Sequence, residues 1–177
     1  VCVLDPTLLL GKEEWKYFSD EQVEEEPYLL VYYFGNPKSI LNIANKIAQK
    51  RGLKVRRISV GFEKYFNDDV IEKFVTPERF ISLFLNASYV ITNSFHGTIF
   101  SINFEKQFLS YPTTENNARF DSVFQMFDLQ ERNLRKYSGE EYKELSDIDY
   151  SRVSRVLEEK REESYVYLKR ALRYEVE

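Results

Sequence analysis

The run Tyr28 to Phe34 (YLLVYYF) restricts most strongly what this chain can become. All seven positions are apolar or aromatic, without the alternation of a strand that keeps one face in water. Such a strand belongs at the centre of a parallel sheet. Gly35-Asn36-Pro37-Lys38-Ser39 punctuates the run, and Ile40, Ile43, Ala44, Ile47 and Ala48 then recur at helical spacing up to Gly52. Leu53 to Val60 reads as the next strand, with Val55, Ile58 and Val60 among basic residues, so this stretch is a βαβ unit with a right-handed crossover as its default.

The rest of the chain repeats the alternation. Asp68-Asp69 marks a loop, Thr76 and Pro77 have the chemistry of an N-cap and a first helical residue, and Phe80, Ile81, Phe84 and Leu85 form that helix's apolar face. Tyr89 to Thr92 is a short strand, Thr98 to Asn103 a helix, and Gln107 to Tyr111 a strand stopped by Pro112. Phe120, Val123, Phe124 and Phe127 give another helical stripe. Tyr150, Val153, Leu157, Ser164, Tyr165, Leu168 and Leu172 define a long C-terminal helix, either packed on its own sheet or offered to a partner. The fold class is α/β, a Rossmann-like, mostly parallel sheet flanked by helices. We divide it into an entry segment (1–27), a core (28–133) and the C-terminal helix (149–174). Leu8-Leu9-Leu10 and Gly11-Lys12-Glu13-Glu14-Trp15 open a short helix in the entry segment, and Glu24-Glu25-Glu26 is a solvated linker.

Composition narrows the function. A chain of 177 residues that is 43% hydrophobic suits one core and one domain. Twenty-five Lys and Arg face 29 Asp and Glu, a net charge of -4, so no nucleic-acid partner is expected. No apolar run approaches the ~20 residues of a membrane span, and a soluble protein is expected. A single cysteine, Cys2, and a single histidine, His96, exclude a disulfide framework, a cysteine zinc site and a multi-histidine metal cluster. An Asp/Glu metal site stays open but has no motif, and no cofactor is expected. The opening Val1-Cys2-Val3-Leu4, without an initiator methionine, reads as a piece of a longer protein. Most of the 13 tyrosines and 14 phenylalanines fall on core positions, so their abundance reflects packing more than sugar stacking.

In open α/β sheets ligands bind beyond the carboxyl ends of the strands, which singles out two loops. Gly35, Asn36, Lys38 and Ser39 offer a glycine, backbone N–H groups at a helix start, an ammonium and a hydroxyl, all suited to an anion. A turn with Ser39 capping the helix accounts for the same residues. Neither G-x-x-x-x-G-K-[ST] nor G-x-G-x-x-G occurs. The second loop, Asn93-Ser94-Phe95-His96-Gly97-Thr98, holds the lone imidazole, the group best matched to proton transfer near neutral pH. A histidine hydrogen-bonded inside a packed turn is the alternative.

Thr92-Asn93-Ser94-Phe95-His96-Gly97-Thr98-Ile99-Phe100-Ser101, with Phe108, Arg119-Phe120 and Leu129-x-x-Arg132, resembles the C-terminal half of the polysaccharide pyruvyl transferase family. Leu4-Asp5-Pro6-Thr7-Leu8-Leu9-Leu10 and Trp15 resemble the segment leading into that half. The resemblance spans residues 4 to about 133, and Ser-Phe-His-Gly is its most specific part. It implies two Rossmann-like domains facing a cleft, as in B-type glycosyltransferases, this chain being the second and lacking its N-terminal partner. It also implies transfer of pyruvate from phosphoenolpyruvate to a glycan or lipid-linked sugar as a ketal, during surface polysaccharide synthesis in the bacterial cytoplasm. His96 takes the place of the family's catalytic histidine, as acid toward the alkene carbon or donor to the departing phosphate. The candidate substrate-binding residues, from the two loops and this resemblance together, are Gly35, Asn36, Lys38, Ser39, Asn93, Ser94, Gly97, Thr98 and Arg119. Some members carry arginine where this chain has Ser94, which cannot grip an anion bidentately, so Arg119 or Lys38 is expected to supply that charge. An Arg119–Glu115 surface pair is the alternative for Arg119. Half of a nucleotide-sugar glycosyltransferase and a non-catalytic glycan or interaction module are the rival functions.

Overall fold

Tyr28–Tyr32 (β1) is the middle strand of a five-stranded sheet, with a parallel neighbour on each side. The computed structural model describes residues 3–20, 26–35, 38–58, 70–112 and 118–172. Within these, β2 is Lys54–Ile58, β3 Val70–Glu72, β4 Tyr89–Thr92 and β5 Gln107–Ser110, in the order β3-β2-β1-β4-β5, and every pairing is parallel. Tyr28 and Leu30 point into one core and Leu29 and Val31 into the other, which is why the run shows no polar alternation.

The helices follow their sequence signals. α1 is Lys12–Lys16, α2 Lys38–Arg51, α3 Pro77–Asn86, α4 Phe95–Asn103, α5 Ala118–Phe127 and α6 Tyr150–Ala171. α2 covers one sheet face through Ile40, Leu41, Ala44, Ile47 and Ala48. It ends at Gly52, whose φ of +66° lets the Leu53 N–H return to the Ala48 carbonyl at 2.9 Å. α3 to α6 pack on the other face with Leu4 and Leu8 of the entry segment. Thr76 caps α3, its hydroxyl accepting from the Arg79 N–H at 3.3 Å, and Phe120, Val123, Phe124 and Phe127 are all buried. Phe80 and Leu85 of the expected α3 face are only half-buried. No helix among the described residues is long and apolar enough to cross a membrane.

Several expected boundaries move. β1 stops at Tyr32, two residues before Phe34, because the Asn93 side chain takes both backbone groups of Phe34 and draws the chain off the sheet. β5 ends at Ser110, although the Tyr111 N–H still reaches the Thr92 carbonyl at 2.8 Å. α4 begins at Phe95, three residues before the expected Thr98, because Ser94 caps it. Ser39 is the second residue of α2, not the residue before it. Leu8-Leu9-Leu10 open no helix: Pro6–Leu8 is a 3-10 turn capped by Asp5, and α1 starts at Lys12.

The edge strand β3 was not expected, being three residues without an apolar pattern. Ion pairs fasten it, with the Glu72 carboxylate accepting from Arg56 at 2.6 Å and Arg79 at 2.8 Å. Burial pushes the Glu72 carboxyl up, but the bonds and charges of Arg79 and then Arg56 outweigh it and hold it below its ordinary value. α6 outruns its core: Val153, Leu157 and Ser164 are buried, while Tyr165 and Leu172 from the same expected face are exposed. A helix of 22 residues is about 33 Å long, roughly twice a five-residue strand, so its last turns have no sheet beneath them. Glu24, Glu25, Val60, Asp68 and Asp69 lie outside the described residues.

Candidate functional site

The strand order reverses at β1, whose neighbours are β2 on one side and β4 on the other. At such a switch point the loops leaving the two central strands diverge to opposite faces and leave a crevice at the carboxyl edge. The loops concerned are the two singled out above. The Asn93 amide joins them: its Nδ2 donates to the Phe34 carbonyl and its Oδ1 accepts from the Phe34 N–H, both at 2.9 Å. Gly35 turns the first loop with φ +89°, Lys38 and Ser39 open α2, and Asn36 lies outside the described residues.

In the second loop the expected site residues divide into two sets. Ser94, Gly97 and Thr98 build the turn. Ser94 Oγ accepts from the Gly97 N–H at 3.3 Å, and the Thr98 hydroxyl sits between the Ser94 carbonyl at 3.1 Å and Ser110 Oγ at 2.8 Å. Thr98 is only 1% exposed, so its side chain faces the protein. Gly97 is set by space, since a Cβ there would lie 2.4 Å from Thr92 Oγ1. That hydroxyl donates to the Tyr32 carbonyl at 2.6 Å and accepts from the Ser94 N–H at 3.0 Å, so it is held from two sides. Ser94 also bonds the Tyr32 phenol, which burial pushes above its ordinary value and the serine partly brings back.

His96 faces outward. Its side chain, the second residue of α4, is 54% exposed, with Nε2 4.0 Å from Asp5 Oδ2. Arg119, at the start of α5, donates Nη2 to the same oxygen at 3.3 Å, and its guanidinium lies 3.8 Å from the Phe95 ring centroid, a cation–π contact. Arg119 therefore pairs with Asp5, whereas Glu115, its expected surface partner, lies outside the described residues. Burial pushes the Asp5 carboxyl up, yet the Thr7 hydroxyl and N–H, then the charges of His96 and Arg119, outweigh it and hold the group below its ordinary value.

Beside this cluster opens a cleft of about 360 Å³ lined by Asp5, Arg119 and Ser122 on its polar side and by Leu8, Phe95, Ile99 and Met126 on its apolar side. It has the size of a small-ligand site, with few polar groups over an apolar wall. A guanidinium can hold a carboxylate or phosphate there, and an imidazole can move a proton. Among the described residues no group of three or more His, Cys, Asp and Glu could hold a metal ion.

Asp5 is the residue that the sequence reading missed as a site member. Its local signal, Asp-Pro-Thr, marks a turn start, and the cap is real: Thr7 N–H and hydroxyl reach Oδ1 at 3.1 and 2.7 Å. Nothing local to Asp5 points to His96 or Arg119. Arg132 is 3% exposed and donates to the Ser146 carbonyl at 2.6 Å, so it ties the segment before α6 to the core, away from the cleft.

The family model described as Polysaccharide pyruvyl transferase covers residues 1–115 of the 177. No curated protein matches the chain.

Proposed function

The chain belongs to the polysaccharide pyruvyl transferase family, and on that premise we propose that it is the second Rossmann-like half of an enzyme moving pyruvate from phosphoenolpyruvate onto a glycan precursor in the bacterial cytoplasm. The supporting observation is that the exposed His96 and the Arg119 guanidinium flank the same Asp5 oxygen, while Asp5 and Arg119 line a cleft with an apolar wall. Arg119 pairs with a donor anion, and the apolar wall receives the methylene end. His96 gives a proton to the alkene carbon or to the departing phosphate oxygen. One sugar hydroxyl adds to the central carbon, the C–O bond to phosphate breaks, and a second hydroxyl closes the ketal. Of the two hydroxyl protons, one ends on the new methyl group and the other on phosphate, so the reaction balances without a redox partner. A preceding domain brings the acceptor sugar across the cleft.

The exposure of His96 also weighs against a purely structural module, which would bury it. A nucleotide-sugar glycosyltransferase half is the second reading, favoured by the switch-point crevice and by Ser94 serving as a helix cap in place of a cationic ligand. The test is phosphate release and ketal formation with phosphoenolpyruvate and a glycan acceptor in the enzyme with both halves. His96→Gln lowers turnover by about 10² while leaving the melting temperature nearly unchanged. Turnover equal to the parent removes His96 from the mechanism, and binding of a nucleoside diphosphate sugar without response to phosphoenolpyruvate selects the second reading.

A further inference from the structure

The groups at the cleft come from the entry segment, the β4–α4 turn and the start of α5, so some device must set their spacing. Asp5 is where they meet. Thr7 takes its Oδ1 twice, leaving Oδ2 turned toward both Arg119 and His96.

The segment bearing Asp5 is itself held from behind. Only a short 3-10 turn is regular there, and its carbonyls have no ladder to join. Side chains take them. Asn103 donates to the Thr7 and Leu10 carbonyls at 3.0 Å each, and Arg161 of α6 donates to the Leu8 carbonyl at 2.7 Å and the Leu10 carbonyl at 3.3 Å. Arg161 also donates to Asn103 Oδ1 at 2.7 Å, which links the two clamps. Asn103 is the last residue of α4, and His96 lies in its first turn. One helix therefore presents the imidazole at one end and grips the Asp5 segment at the other.

From this geometry we propose that Asp5 is a positioning residue, its Oδ2 orienting the His96 imidazole and the Arg119 guanidinium toward the cleft, with Asn103 and Arg161 fixing its distance from both. The chemistry that it serves is the transfer proposed above, and the inference rests on that reading. The low Asp5 carboxyl keeps the group ionised at neutral pH. Its contribution to stability is complete above the ordinary carboxyl range and is lost as pH falls through the lowered folded value.

Two measurements test the proposal. In the chain itself, the Asp5 carboxyl carbon is followed by NMR across acidic pH in the parent, His96→Gln and Arg119→Ala. Its midpoint moves upward in both variants, and a midpoint unmoved in either overturns the proposal. In the enzyme with both halves, Asp5→Asn, which keeps the acceptor for Thr7, lowers kcat on the order of tenfold to a hundredfold through misplacement of reacting groups. Its KM for phosphoenolpyruvate changes far less than that of Arg119→Ala, a split that mere loss of stability does not produce. Arg161→Met shifts kcat in the same direction by a smaller factor. A parent-like kcat in Asp5→Asn overturns the proposal. If the parent enzyme does not use phosphoenolpyruvate, the functional reading fails and the carboxyl titration alone decides the placement of Asp5.

Discussion

The two loops flanking the switch point each contain a glycine, for opposite reasons. Gly35, after β1, has a φ of +89° and nothing within 4 Å of where a Cβ would sit, so the backbone conformation alone calls for glycine. Gly97, after β4, lies in an ordinary helix, but a Cβ would fall 2.4 Å from Thr92 Oγ1. Nothing crowds Gly35, and Phe34 beside it is exposed. The second loop is packed and bonded at nearly every position, and only its His96 side chain faces well outward. That loop is therefore fixed in its backbone and open at one side chain, as a preorganised site requires.

The comparison can be broken most decisively at Gly97. Gly97→Ala should cost about 3 kcal/mol, the scale of an overpacked core, since Thr92 is held by two hydrogen bonds and cannot yield. Chemical denaturation measures this, and a loss under about 1 kcal/mol would show that the β4–α4 turn is softer than its contacts imply.

A smaller effect is expected at Arg119. Arg119→Ala should raise the KM for the donor about tenfold, as loss of one charge-assisted contact does, with little change in stability because the side chain is 65% exposed. Inorganic phosphate titrated into the labelled chain should shift amides in both loops, with weaker binding at higher salt. If Ser94→Arg instead improves donor affinity while Arg119→Ala leaves it alone, the charge belongs to the turn and not to α5.

The smallest effect falls on Gly35. Gly35→Ala should cost about 1 kcal/mol from the left-handed backbone alone. A loss as large as that of Gly97→Ala would erase the difference between the loops.

Much of this architecture could be read before the fold was known. The seven-residue apolar run located the central strand, Thr76-Pro77 located a helix start, and the Phe120 stripe is buried along its length. These signals are local, because periodicity and capping need only a few neighbouring residues. β3 escaped because it is held by Glu72 with Arg56 and Arg79, and an ion pair between elements has no periodicity. Ser94 is expected as a binding residue, and its hydroxyl caps α4, a role that depends on where the helix begins. Thr98 belongs with it, polar by composition but buried against Ser110.

The sequence by itself determined that strands and helices alternate in a parallel sheet and that the only imidazole lies where a strand passes into a helix, since hydrophobic period and turn chemistry act over short stretches. Only the tertiary structure decided what that imidazole faces. Asp5 and Arg119 are 114 positions apart, and the oxygen they share with His96 is aimed by Thr7, by the length of α4 and by the grip of Arg161 on the entry segment. No local pattern encodes such a distance, because it is set by how separate elements pack against one another.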